Sequence, residues 1–180
     1  MSGNDPFERL PEVPGFTVGS ASAENGKPFA PPQLSGRLGM PGGQDSSPQL
    51  TWNGAPAGTR SYAVTMYDPD LLTGSGFWHW AVANIPAVIT SLPEGAGDDE
   101  GSGLPREAVT LPNDHGWARY LGSAPPPGEG AHRYVIAVHA LDIEDIGVDR
   151  NATPAFLGFK MLGHVLGRAT LVATAQAPAS

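Results

Sequence analysis

SYAVTMYDPD, residues 61–70, is the segment on which the fold turns. Ser61 to Tyr67 is too short and too rich in β-branched and aromatic residues for a helix, so it is read as a strand. Asp68-Pro69-Asp70 ends it with turn chemistry. Residues 68–77 form a loop containing Pro69, Gly74 and Gly76, and His79 to Ile85 is a second strand. Arg133 to Leu141 (RYVIAVHAL) is a third. If the first two run antiparallel as neighbours or near neighbours, the end of one lies beside the start of the next. Asp68 and His79 then share one edge of a sheet.

Weaker elements surround this centre. Phe16 to Val18 and Gln49 to Trp52 are short strand candidates, and Thr170, Val172 and Thr174 alternate with Leu171 and Ala173 as a last strand. Thr153-Pro154 is a helix start, an N-cap hydroxyl before a proline at the first helical position. Phe156, Phe159, Leu162 and Leu166 recur at spacings of three and four, which predicts one apolar face; Gly158, Gly163 and Gly167 weaken the helix. Residues 19–48, 93–118 and 125–131 are rich in Gly and Pro and read as loops. Residues 1–14 read as a flexible N-terminal arm and 15–180 as a single domain. The predicted class is mainly β: a two-sheet β-sandwich with a C-terminal helix and long Pro/Gly-rich loops.

Composition narrows the function. The chain has 180 residues, enough for one domain with a real core. Its 24 glycines and 19 prolines alternate with apolar runs, which favours tight turns over disorder. It has no cysteine, which excludes disulfides, thiolate zinc sites and a cysteine nucleophile. A formal net charge of −8 argues against nucleic acid as a partner and against a basic membrane-binding patch. No segment approaches the roughly 20 apolar residues that span a bilayer. Met1 to Pro14 carries Asp5, Glu8, Arg9 and Glu12 and lacks the order of a signal peptide. A cytoplasmic protein without integral membrane contact is the expectation.

His132 opens the third strand, and period two puts Tyr134 on the same face. With Asp68 and His79 they make four polar groups at one end of the sheet. The set suits an anion. Asp68 accepting a hydrogen bond from one imidazole nitrogen fixes the tautomer and favours the charged ring, leaving the other N–H for the ligand. Tyr134 adds a hydroxyl donor, and Pro125-Pro126-Pro127 with Gly128 forms a stiff wall. Two other chemistries use the same residues. Two histidines and a carboxylate can bind zinc, although no HxH or HExxH spacing is present. A hydrolytic triad needs a positioned serine, and Ser75 and Ser123 lie in neighbouring loops, outside any GxSxG elbow. His139 faces opposite to His132 and reads as a satisfied histidine, His164 as structural, and His115 and Asp98-Asp99-Glu100 as solvated. Asn151-Ala152-Thr153 matches a glycosylation sequon, which means little without a secretory signal.

Three blocks carry a resemblance: SPQLTWNGAPAGTRSYAVTMYDPD (47–70), GFWHWAVANIP (76–86) and GWARYLGSAPPPGEGAHRYVIAVHALD (116–142). They resemble the phosphatidylethanolamine-binding protein family, also called the Raf kinase inhibitor protein family, and its bacterial branch in particular. The resemblance covers about Ser46 to Ala175. It implies a β-sandwich with a small cavity for phosphate, acetate, cacodylate or a phosphoethanolamine head group. It therefore implies a non-catalytic regulator of the phosphatidylethanolamine-binding type with no cofactor and no metal. The implied ligand-binding residues are Asp68, His79, Pro126, His132 and Tyr134; Asp70, Leu72 and Gly122 are implied to shape the pocket. The expected ligand is a phosphate-containing or other small anion, on a lipid, a small molecule or a protein side chain. The alternatives are an inhibitor of a kinase or protease acting through surface loops, and a hydrolase with a His/Asp site. Two departures from the family pattern stand out. Leu71-Leu72 follows DPD where Ala-Pro is usual, and Gly122-Ser-Ala-Pro-Pro-Pro-Gly128 replaces GPxPPxG. The resemblance also implies a homodimer, with Leu71, Leu72 and Phe77 as exposed apolar residues.

Overall fold

The computed structural model describes residues 5–178. Eight strands and one helix follow in order: β1 (Thr17–Gly19), β2 (Leu50–Asn53), β3 (Ser61–Asp68), β4 (Phe77–Pro86), β5 (Ser91–Leu92), β6 (Val109–Thr110), β7 (Ala131–Leu141), α1 (Pro154–Met161) and β8 (Val165–Gln176). The larger sheet runs β6-β4-β3-β7-β8 and the smaller β1-β2-β5, all antiparallel. This is the expected mainly β class. The segment 93–118, read as loop throughout, contributes the short β6 at the edge of the larger sheet.

β3 is central and buried along its whole length because both faces of its sheet are covered. On the inner face, Tyr62, Val64 and Met66 pack with Trp80, Ile136 and Val138 against Leu50, Trp52 and Leu92 of the smaller sheet. On the outer face, Ala63, Ala81 and Ala83 leave room for α1, whose Leu157 and Met161 close a second core with Leu111, Leu141 and Ile146.

The helix begins as predicted. Thr153 accepts the Phe156 N–H at 3.1 Å, with Pro154 at the first position. Its apolar face differs from the predicted one. Phe156, Phe159 and Leu162 are 45%, 65% and 54% exposed, and Leu166 belongs to β8. The buried stripe is Pro154, Leu157 and Met161. Both stripes satisfy helical spacing, so periodicity alone does not choose between them. The chain turns at Gly163 (φ +81°) straight into β8, and that connection sets which stripe meets the sheet.

From Asp5 onward the arm lies on the outer face of the larger sheet; Met1 to Asn4 fall outside the described residues. Phe7 packs edge-on against His139 at 5.7 Å, and Arg168 N–H donates to Pro14 O at 3.0 Å. Among the described residues no helix is long and apolar enough to cross a membrane.

Candidate functional site

β3 pairs with β4 on one side and with β7 on the other, both antiparallel. The end of β3 and the starts of its two neighbours therefore meet at one edge, and Asp68, His79, His132 and Tyr134 gather there. All four are buried.

A β-bulge places His79. Met66 pairs with Trp80 and Tyr67 with Trp78, so His79 is the residue of β4 left over. Strict alternation would send it outward with Ala81 and Ala83. The extra residue re-aims it inward. Its ring meets Phe77 at 4.8 Å and Tyr134 edge-on at 5.1 Å.

Asp68 is held at three points. One carboxylate oxygen accepts the Asp70 and Leu71 N–H groups at 2.8 and 3.0 Å. The other accepts from His132 Nδ1 at 2.9 Å. The expected carboxylate–imidazole hydrogen bond is thus made to His132; His79 Nδ1 instead donates to Leu121 O at 2.9 Å. A carbonyl only accepts, so the His79 proton sits on Nδ1. Burial pushes this imidazole below its ordinary pKa, against the opposing pull of the Leu121 carbonyl and the Asp68 charge. Neutral His79 therefore presents a lone pair at Nε2.

Two hydroxyls complete the inner wall. Tyr134 OH and Ser123 Oγ are buried with no hydrogen-bond partner. Ser123 and Asp68 are polar neighbours of the tyrosine hydroxyl, yet neither meets hydrogen-bond geometry with it. Burial first, and then the Asp68 charge, pushes the Tyr134 hydroxyl well above its ordinary value, so it stays protonated and donates. The other unpartnered buried atoms among the described residues are the indole nitrogens of Trp52 and Trp80.

Ser123 was visible in the sequence only as a nucleophile candidate. Its position comes from distant backbone bonds: Ser123 N donates to Gln33 O at 3.3 Å, and Ser123 O accepts from Ser35 N at 3.0 Å. Gly122 N donates to Asp45 Oδ1 at 2.9 Å. A Cβ on Gly122 would lie 2.3 Å from the Leu34 backbone, so this approach requires glycine. In that sense Gly122 shapes the site, with Asp45 as a partner that no local motif announces.

Glu129 is the other residue that sequence reading missed. The turn closed by Glu129 N donating to Pro126 O at 3.4 Å brings its carboxylate to 3.2 Å from His132 Nε2. Pro126 thereby acts through the turn it caps. Asp70 clamps Arg133 by three contacts, the backbone N–H at 2.8 Å, Nε at 2.9 Å and a terminal nitrogen at 2.7 Å. That pairing with Arg133 holds the Asp70 carboxyl below its ordinary value. Leu72 is 84% exposed and stands in solvent, so it is no wall of the site; Leu71 and Phe77, expected to be exposed, are half-buried. Among the described residues no three His, Asp or Glu side chains are placed to hold a metal ion.

Comparison with known proteins follows the same outline. The model of the phosphatidylethanolamine-binding protein family matches residues 19–176. YbcL of Escherichia coli is 43% identical over 156 residues, covering 87% of this chain and 85% of YbcL. YbhB of the same organism is 48% identical over 134 residues, covering 73% of this chain and 82% of YbhB. The crystal structure of YbcL, described as a new member of the mammalian PEBP family, superposes with a TM-score of 0.87 at 40% identity, covering 91% of this chain and 99% of YbcL. The matched span runs from the end of β1 to the end of β8 and contains every residue of the site, and on that ground the chain belongs to the phosphatidylethanolamine-binding protein family.

Proposed function

We propose that this protein is a non-catalytic binding protein for phosphate monoesters, seated between Ser123, Tyr134, His79 and His132. The observation that carries the reading is the pair of buried, unpartnered hydroxyls on Ser123 and Tyr134 beside His79. A buried polar atom without a partner costs about 1–3 kcal/mol, so two at one place call for a ligand.

The donor set selects the ligand. Tyr134 OH, Ser123 OH and His132 Nε2 offer hydrogens to anionic oxygens. Neutral His79 offers a lone pair, which a ligand donor such as the O–H of a phosphate satisfies. A monoester phosphate carrying one proton, with its second pKa near ~6, supplies both anionic oxygens and an O–H at near-neutral pH. The phosphate group of a diester, like a carboxylate, has no O–H of its own at that pH.

Geometry also supports a role without chemistry. Ser123 Oγ has no base within hydrogen-bond reach. The test is calorimetric titration with O-phosphoethanolamine and with glycerophosphoethanolamine, its diester counterpart. The monoester is expected to bind and the diester to bind at least about tenfold more weakly. Equal binding of the two, or equal monoester binding by wild type and Tyr134→Phe, would overturn the proposal.

A further inference from the structure

We propose that the outer face of the larger sheet carries a second binding site, for a small amphiphile whose carboxylate pairs with Arg168 and whose aliphatic body lies between the N-terminal arm and α1. The site is separate from the Asp68–His132 end and does not rest on the function proposed there.

A cavity of about 440 Å³ opens on this face. Small-molecule sites occupy roughly 300–1,000 Å³ and combine apolar walls with a few placed polar groups. Here Phe7 and Leu10 of the arm form one wall, Phe159 and Leu162 the other, and Trp78 lies with His139 among the sheet residues lining it. Phe159 and Leu162 are among the apolar residues that the fold leaves exposed.

The polar groups leave one unmet demand. Thr65 Oγ1 and His139 Nε2 are 3.0 Å apart, and His139 Nδ1 accepts from Arg168 Nε at 3.3 Å. Thr65 and His139 thus satisfy each other. The Arg168 guanidinium lies 4.6 Å from the Phe7 ring centroid, and among the described residues no carboxylate comes within ion-pair distance of it. Asp5 acts on it only at longer range. Burial pushes the guanidinium below its ordinary pKa, against the opposing pull of the Asp5 charge.

One guanidinium fork fits one carboxylate, with two parallel N–H···O bonds. A phosphate dianion would keep an uncompensated charge in an apolar slot. Gly158 borders the slot, and an added Cβ there would meet nothing within 4 Å. A monocarboxylate with a chain of medium length therefore matches both the charge and the walls.

Titration of the full chain with decanoate and with decanol, below their micelle concentrations, tests this. Decanoate is expected to bind one to one and decanol at least about tenfold more weakly. Arg168→Met is expected to erase that difference. Gly158→Leu fills the slot and raises helix propensity, so it is expected to abolish decanoate binding in a folded protein. His132→Ala is expected to leave decanoate binding unchanged. Equal binding of decanoate and decanol by wild type, or undiminished decanoate binding by Gly158→Leu, would overturn the proposal. So would a dimer in sedimentation that Gly158→Leu dissociates while decanoate has no effect, because a second copy would then be the occupant.

Discussion

His132 Nε2 stands 3.2 Å from Glu129 Oε2. The opposite nitrogen of the same ring donates to Asp68 at 2.9 Å, so the imidazole lies between two carboxylates. The two carboxylates are not equivalent. Asp68 is buried and fixed by two backbone N–H groups. The Glu129 side chain is 33% exposed and sits between Gly128 and Gly130, both at positive φ. On the function proposed above, Glu129 is the partner that an incoming anion displaces at His132 Nε2.

Removing that competitor has a signed outcome. Glu129→Ala is expected to raise phosphate affinity by about three- to tenfold, since a partly exposed carboxylate is screened by solvent and its repulsion is modest. Calorimetric titration with inorganic phosphate reads this. Unchanged or weaker binding would show that Glu129 does not compete at His132.

Tyr134→Phe separates binding from stability. The hydroxyl is buried without a partner, so deleting it removes a desolvation cost. Urea unfolding is expected to show a gain of about 1 kcal/mol, while phosphate affinity falls about tenfold. A loss of stability would mean that the hydroxyl is bonded to Ser123 or Asp68 in solution.

His139 predicts how stability depends on pH. Burial, reinforced by the Arg168 charge, lowers its pKa to about 3, against an unfolded value of ~6.5. In that window the unfolded chain binds the extra proton. Stability from neutral His139 is thus fully present above about pH 6.5 and is lost as pH falls toward 3. The slope is at most about 1.4 kcal/mol per pH unit. His139→Gln cannot titrate, so the wild-type minus variant difference in urea stability is expected to shrink on acidification from pH 7 to pH 4. Parallel curves would show that His139 is not neutral in the folded protein.

Much of the site was legible because period two is unbroken where it mattered. His132 and Tyr134 share a face, and the turn residues after Tyr67 mark where Asp68 stops the strand. What stayed hidden depends on partners far along the chain. The inward turn of His79 comes from a bulge, which exists only in the pairing of β4 with β3. Ser123 and Asp45 are placed by backbone bonds between the 121–123 loop and the Gln33–Asp45 segment. No spacing within either segment encodes that meeting. The helix failed differently: two stripes had the right period, and the choice was made by its short connection to β8.

That choice yields the last prediction, which sets two apolar residues of one helix against each other. Leu157 is fully buried in the outer core, among Ala63, Ala81, Leu111 and Met161. Truncating such a side chain loses its transfer free energy and leaves a cavity, at a cost of about 2–5 kcal/mol. Phe159, two residues on, is 65% exposed and contributes no core contact to either cluster. Phe159→Ala is therefore expected to change stability by no more than about 0.5 kcal/mol, since alanine also has the higher helix propensity. Leu157→Ala is expected to lower the urea midpoint clearly at an unchanged slope. If the costs came out reversed, the helix would be rotated about its axis, and the stripe of Phe156, Phe159 and Leu162 would be its core face after all.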